Sequence, residues 1–144
     1  MMERHWQLRV CTVLLAMNLA FIWGNSLMRA EISQGFSDWA FSFLNGVPVE
    51  KAASTGSGML RKAAHFAEFA SLGLLIGWRR MLLRKNSWMA LPLGMAVASL
   101  DETIQFFVPG RAPGIRDVAI DTCGVFAGIL LLQIGYTIIR RKQQ

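Results

Sequence analysis

Four apolar runs with short basic clusters beside them limit what this chain can fold into: 8–27, 62–83, 87–108 and 117–139. Each holds about 20 residues, enough for an α-helix to cross a hydrocarbon layer of roughly 30 Å. Inside such a layer every backbone polar group needs a partner within the protein, and helices supply it. Charged residues make up 17% of the chain. An ordinary soluble domain carries roughly 25%, so the charges are too few to cover a surface facing water. The reading is an all-α, polytopic membrane protein, a four-helix transmembrane bundle in one domain over residues 1–144.

A cleaved signal peptide competes for the first run, because Gly24-Asn25-Ser26 is a passable small-x-small site. The apolar stretch from Val10 to Trp23 lies at the long end for a signal core and has no alanine pair at the cleavage position, which favours a retained helix. After it the chain becomes more polar. Ile32, Phe36, Trp39 and Phe43 recur there at spacings of four, three and four, the mark of one helical face. This predicts a short amphipathic helix between helices 1 and 2, either resting in the membrane interface or capping the helix ends. Pro109-Gly110 and Pro113-Gly114 interrupt the chain before the fourth run.

The net charge of +6 does not point to nucleic acid, since the basic residues form no stripe interleaved with aromatics. They report orientation instead. Arg4, Arg9, Arg79, Arg80, Arg84, Lys85, Arg140, Arg141 and Lys142 fall on one side, nine in all. Arg29, Lys51, Arg61, Lys62, Arg111 and Arg116 fall on the other. A plasma-membrane, multi-pass protein with both termini cytoplasmic is expected. That topology puts Cys11 and Cys123 at opposite faces, so they are read as apolar filler rather than a disulfide.

The same topology gathers the polar residues of three spans. Entering from outside at Lys62, the second span carries His65 about 4.5 Å and Glu68 about 9 Å deeper. The third climbs about 24 Å from Lys85 to reach Asp101 and Glu102, with Gln105 beyond them. The fourth re-enters at Asp117, with Asp121 about 6 Å further in. Pairs such as His65 and Glu68, Glu102 and Gln105, or Asp117 and Asp121 are three or four apart and share a face. An outward-facing polar cleft between these spans follows, its approach eased by Gly73-x-x-x-Gly77 and Gly124-x-x-x-Gly128. Ionisable residues at membrane depth usually mark function; the plainer alternative is that Arg61, Lys62, Arg111 or Arg116 neutralises Glu68, Asp101 and Glu102 to lock the bundle.

His65 and Glu68 with Asp101 or Glu102 would suit zinc or manganese, but no recognised metal motif is present and no metal is assigned. Acid–base chemistry is the competitor. No serine or cysteine stands out as a nucleophile, and no cofactor is read from the sequence.

These residues carry a likeness. Lys62-Ala-Ala-His65-Phe-Ala-Glu68, Asp101-Glu102-Thr-Ile-Gln105-Phe-Phe-Val-Pro109-Gly110-Arg111 and Asp117-Val-Ala-Ile-Asp121-Thr-Cys-Gly124 resemble the helix motifs of the VanZ-like family. The resemblance implies a small four-helix membrane protein with a cell-envelope role, the founding member being linked to teicoplanin resistance. Two positions depart from that pattern: Phe69 stands where tyrosine is common, removing a hydroxyl from the cleft, and Asp121 where asparagine is usual.

The expected function is binding or modification of a wall component, surface-exposed or as its lipid-linked precursor, with altered glycopeptide susceptibility among its expected consequences. His65, Glu68, Asp101 and Glu102 are the catalytic candidates, with His65 and Glu102 moving protons. Lys62, Gln105, Arg111, Asp117 and Asp121 are the substrate-binding candidates, Arg111 or Lys62 holding an anionic group. The lipid bilayer is the expected surrounding partner. A non-enzymatic protein that shields or scaffolds an envelope partner through the Ile32–Phe43 stripe is the alternative. A transporter would need oligomerisation, since no inverted repeat is evident.

Overall fold

The computed structural model describes residues 2–112 and 114–142, and the second Pro-Gly step, at Pro113, lies outside them. Six α-helices follow in order: α1 Met2–Ser26, α2 Ala30–Asn45, α3 Val49–Thr55, α4 Ser57–Leu82, α5 Ala90–Phe106 and α6 Ile115–Lys142. A 3₁₀ turn at Ser87–Met89 precedes α5. The third apolar run therefore starts later as α-helix than expected, because the Asn86 side chain accepts from the Trp88 amide and starts a tighter turn. Pro92 sits in the first turn of α5, where its missing N–H has no intrahelical partner to lose. Gly110 takes a φ of 78°, so the Pro109-Gly110 break is a true left-handed turn.

The four long helices α1, α4, α5 and α6 are the four predicted runs. Their shared core is small: Ile22, Phe69, Leu72, Ala90, Ala98, Val125 and Ile129 are fully buried together. Phe69 belongs to this core, so the hydroxyl expected to be missing from the cleft would have pointed into packed side chains.

Two different devices hold α4 to its neighbours. Against α1, a polar ladder runs along one face. Arg4 donates to the Leu82 carbonyl at 2.7 Å, Cys11 to that of Leu75 at 3.4 Å, Asn18 to Ser71 Oγ at 2.7 Å and Asn25 to Glu68 Oε1 at 2.7 Å. The α1 positions recur every seven residues while the α4 partners descend, the register of two antiparallel helices with a heptad seam. Cys11 is thus part of a hydrogen-bonded seam, whereas Cys123 is exposed; both are free thiols.

Against α6 the device is absence of side chain. A Cβ on Gly73 would overlap the Val125 carbonyl, one on Gly124 the Phe66 carbonyl, and one on Gly128 the Ala70 carbonyl. Both glycine pairs thus make close contacts, although Gly77 meets only the flexible end of Leu132 at 2.9 Å. The Gly124–Phe66 and Gly128–Ala70 contacts advance together, so α4 and α6 run parallel.

The exterior is apolar and much of the interior polar. Ser26, Asp101, Gln105 and Asp121 are buried, while Val13, Met17, Leu131 and Ile134 are exposed. On α2 the aromatic stripe faces outward, with Trp39 56% and Phe43 76% exposed, and Ser37 is turned inward. The stripe therefore does not pack down as a cap. By length and composition α1 and α6 are candidate membrane spans. α5 has 17 residues, and α4 carries Arg61, Lys62, Glu68, Arg79 and Arg80, which takes both below that standard.

The glycine contact generates a stability test. Replacing Gly128 by alanine should cost about 1–3 kcal/mol, as overpacking against a rigid backbone does. Gly135→Ala, with nothing within 4 Å of the new methyl, should be neutral or stabilising by a few tenths. Thermal unfolding of both variants in detergent checks the contrast.

Candidate functional site

The predicted polar residues meet where α4, α5, α6 and the loop residues Gly110, Arg111 and Ala112 converge. A cavity of about 160 Å³ is lined there by Lys62, His65, Glu102, Gln105, Arg111, Asp117 and Asp121, together with Arg61. Seven of the nine sequence candidates thus line one space. The other two lie to its sides. Asp101 is fully buried behind the wall. Glu68 opens instead onto a second, apolar cavity of about 390 Å³ between α1, α2 and α4, lined by Phe21, Phe36, Ala40, Leu44 and Leu60. Arg61 and His65 border both spaces.

The carboxylates are held by neutral donors. Ser26 Oγ donates to Asp101 Oδ1 at 2.5 Å and Gln105 Nε2 to Oδ2 at 2.9 Å. The Gly114 amide donates to Glu102 Oε2 at 2.9 Å, so the loop closes over α5 through its own backbone. Asn25 holds one oxygen of Glu68 while the other, buried, has no partner among the described residues. Asp121 is 1% exposed and its Oδ2 likewise has none.

Ion-pair locking by Arg61, Lys62, Arg111 or Arg116 is not what the geometry does. Among the described residues the salt bridge is Arg29–Glu31 at 3.6 Å, both exposed and neither lining the cavity. Arg111 instead donates from Nε to the Met28 carbonyl at 3.2 Å and from a terminal nitrogen to that of Asn25 at 2.9 Å. It caps the C-terminal end of α1, where unpaired carbonyls favour a cation. Burial pushes Arg111 down from its usual value, with Arg61 adding to the effect and Asp101 and Glu102 opposing it. From so high a starting point a guanidinium keeps its charge. Arg61 reaches Gln34 of α2 at 3.5 Å.

Asn25, Ser26 and the Gly114 amide were missed by sequence reasoning. In the sequence Asn25 and Ser26 stand out only as a cleavage site. Yet removal of α1 would strip Asp101 and Glu68 of hydrogen bonds. The available signal was the seven-residue spacing of Asn18 and Asn25 inside an apolar run. No metal was assigned from sequence, but one ligand atom each of His65, Asp101 and Asp121 lies within 4.8 Å of the others. These residues come from three helices, so no local motif records them.

An all-helical chain with apolar outer surfaces, two candidate spans and a buried polar centre defines a small helical membrane protein. The VanZ/LLP1 family model matches residues 9–137, nearly the whole chain, and the protein belongs to that family. No curated protein and no solved structure matches it.

Losing the Ser26 hydroxyl leaves a buried carboxylate oxygen short of a donor. Ser26→Ala should therefore destabilise the fold by about 1–3 kcal/mol. Ser99→Ala, which removes a hydroxyl bonded only to its own exposed helix turn, should stay within about 0.5 kcal/mol of wild type. Thermal unfolding in detergent separates the two.

Proposed function

We propose that this protein is a multi-pass envelope protein whose cleft binds an anionic, lipid-linked component of the cell envelope. The single observation that carries the reading is the pair of adjoining cavities, one polar and one apolar, sharing Arg61 and His65. A phosphate-bearing headgroup would sit in the polar space, contacted by Arg61, Lys62 and Arg111. Its hydrocarbon chain would lie along Phe21, Phe36 and Leu44 in the apolar one. His65 and Glu102, both on the polar cavity, are the groups placed to move a proton if the headgroup is chemically modified.

Four crossings are part of this reading. Its support is the outward apolar faces of α1, α5 and α6 and the matched polar ladder between α1 and α4, which requires those two to lie side by side. Contacts of Arg4 with Leu82, and of Gln133 with Ser87, bring the basic ends of α1, α4 and α6 to one end of the bundle. That end would be cytoplasmic, and the cavity, at the opposite end, would face outward. Family membership favours a cell-envelope role, and altered glycopeptide susceptibility is one consequence that binding of a wall precursor would have.

A second reading is favoured by the exposed Phe36–Trp39–Phe43 stack, with ring centroids 5.9 Å apart at each step. Such a stripe would rest at the membrane interface or hold a partner there.

The binding reading is tested by mass spectrometry of lipid that co-purifies with the protein in gentle detergent. Ala40→Trp should fill the apolar space and Arg61→Ala should weaken the headgroup contact, each lowering bound anionic lipid about tenfold, the effect of roughly 1.4 kcal/mol. Unchanged lipid in both, at equal protein recovery, contradicts it. In cells, His65→Ala and Glu102→Gln should alter surface glycopeptide binding and susceptibility at equal membrane levels if the headgroup is modified.

A further inference from the structure

A buried carboxylate in a membrane protein needs an opposite charge, a set of donors, or a proton. Asp101 has its donors in Ser26 and Gln105, and Glu102 has one in the Gly114 amide. Asp121 is different. It is as buried as Asp101, lines the polar cavity, and leaves Oδ2 without a partner among the described residues. The nearby cations do not answer it: no salt bridge joins any described cation to Asp121, and Arg111 is engaged by the end of α1.

We propose that His65, Asp101 and Asp121 form a binding site for one divalent transition-metal cation of the zinc or manganese class. Each residue offers one ligand atom, and these atoms lie within 4.8 Å of one another. One imidazole nitrogen and two carboxylate oxygens are a donor set such ions accept, with remaining coordination positions left for water or substrate. The support around the ligands fits as well. Asp101 is oriented by Ser26 and Gln105, as carboxylate ligands are in metal sites, where outer partners fix the geometry of the inner ones. Meanwhile His65 and Asp121 border the cavity, which gives the ion both a route in and an open side.

The site is built by the close approach of α4 and α6. Gly124 meets the Phe66 carbonyl one residue from His65 and one turn from Asp121. A bound cation would offset the carboxylates that crowd this end of the bundle. It would also give an anionic headgroup a stronger anchor than the arginines alone. The metal site does not depend on that headgroup, because the ligands are complete without it.

The test uses the full chain purified in detergent, stripped with chelator, incubated with Zn²⁺ alone and passed through gel filtration. Elemental mass spectrometry should find about one equivalent retained per chain. His65→Ala and Asp121→Asn should each lower zinc affinity about tenfold or more, whereas Cys123→Ser should retain it, excluding the exposed thiol as the ligand. Zn²⁺ should raise the melting temperature of wild type and not that of Asp121→Asn. Without metal, Asp121→Asn should be the more stable of the two, because its uncompensated carboxylate is gone, an outcome that a misfolded variant would not give. No retained zinc in wild type, or equal retention in His65→Ala and Asp121→Asn, overturns the proposal and leaves protons as what neutralises the cluster.

Discussion

The backbones of α4 and α6 touch, and the meeting of His65 with Asp121 follows from that contact. With glycine at 73, 124 and 128 the helices approach until a single methyl at any of these positions would strike a carbonyl. Under the proposed four-crossing topology there is little hydrophobic gain from pressing two helices together in lipid, so dispersion between closely fitted surfaces would hold them. The tight fit has a chemical consequence. His65 and Asp121, on parallel helices, are carried toward the same point, and α5 brings Asp101 up beside them.

Such a point is costly to maintain, and α1 helps to maintain it. Its last turn supplies Ser26 to Asp101 and Asn25 to Glu68, while Arg111 returns from the α5–α6 loop to close the end of α1. The loop, the first helix and the buried acids therefore form one connected network in which each member satisfies another. A half-satisfied polar network inside a low-dielectric medium is worse than none, and the free oxygens of Asp121 and Glu68 are where this one is incomplete. Those two positions face the two cavities, which is where a ligand's own charges and donors would enter.

Much of this was legible in the residues. The four helices, the helical segment between the first two, and the convergence of Lys62, His65, Glu102, Gln105, Arg111, Asp117 and Asp121 follow from apolar periodicity and from a fixed rise per residue. Periodicity could not give what happens across helices. Asn25 and Ser26 act on residues 43 and 75 positions away, so nothing near them in the chain hints at their role. Arg111 was expected to hold an anion and is also a helix cap, because a cation's partner is set by which carbonyls the loop brings near it. Phe69 was misread for a related reason: adjacent residues on a helix point about 100° apart, so the neighbour of cavity-facing Glu68 lands in the core.

In the proposed topology the polar cavity opens to the cell exterior. Ala112 lines the polar cavity and is exposed, while Lys85 lies at the other end of α4. In a background with Cys11 and Cys123 replaced, single cysteines at these positions can be labelled in intact cells with a membrane-impermeant maleimide. Labelling of Ala112→Cys in intact cells, and of Lys85→Cys only after permeabilisation, is the result expected of a cleft open to the cell exterior. The reverse pattern would contradict it and turn the site toward the cytoplasm.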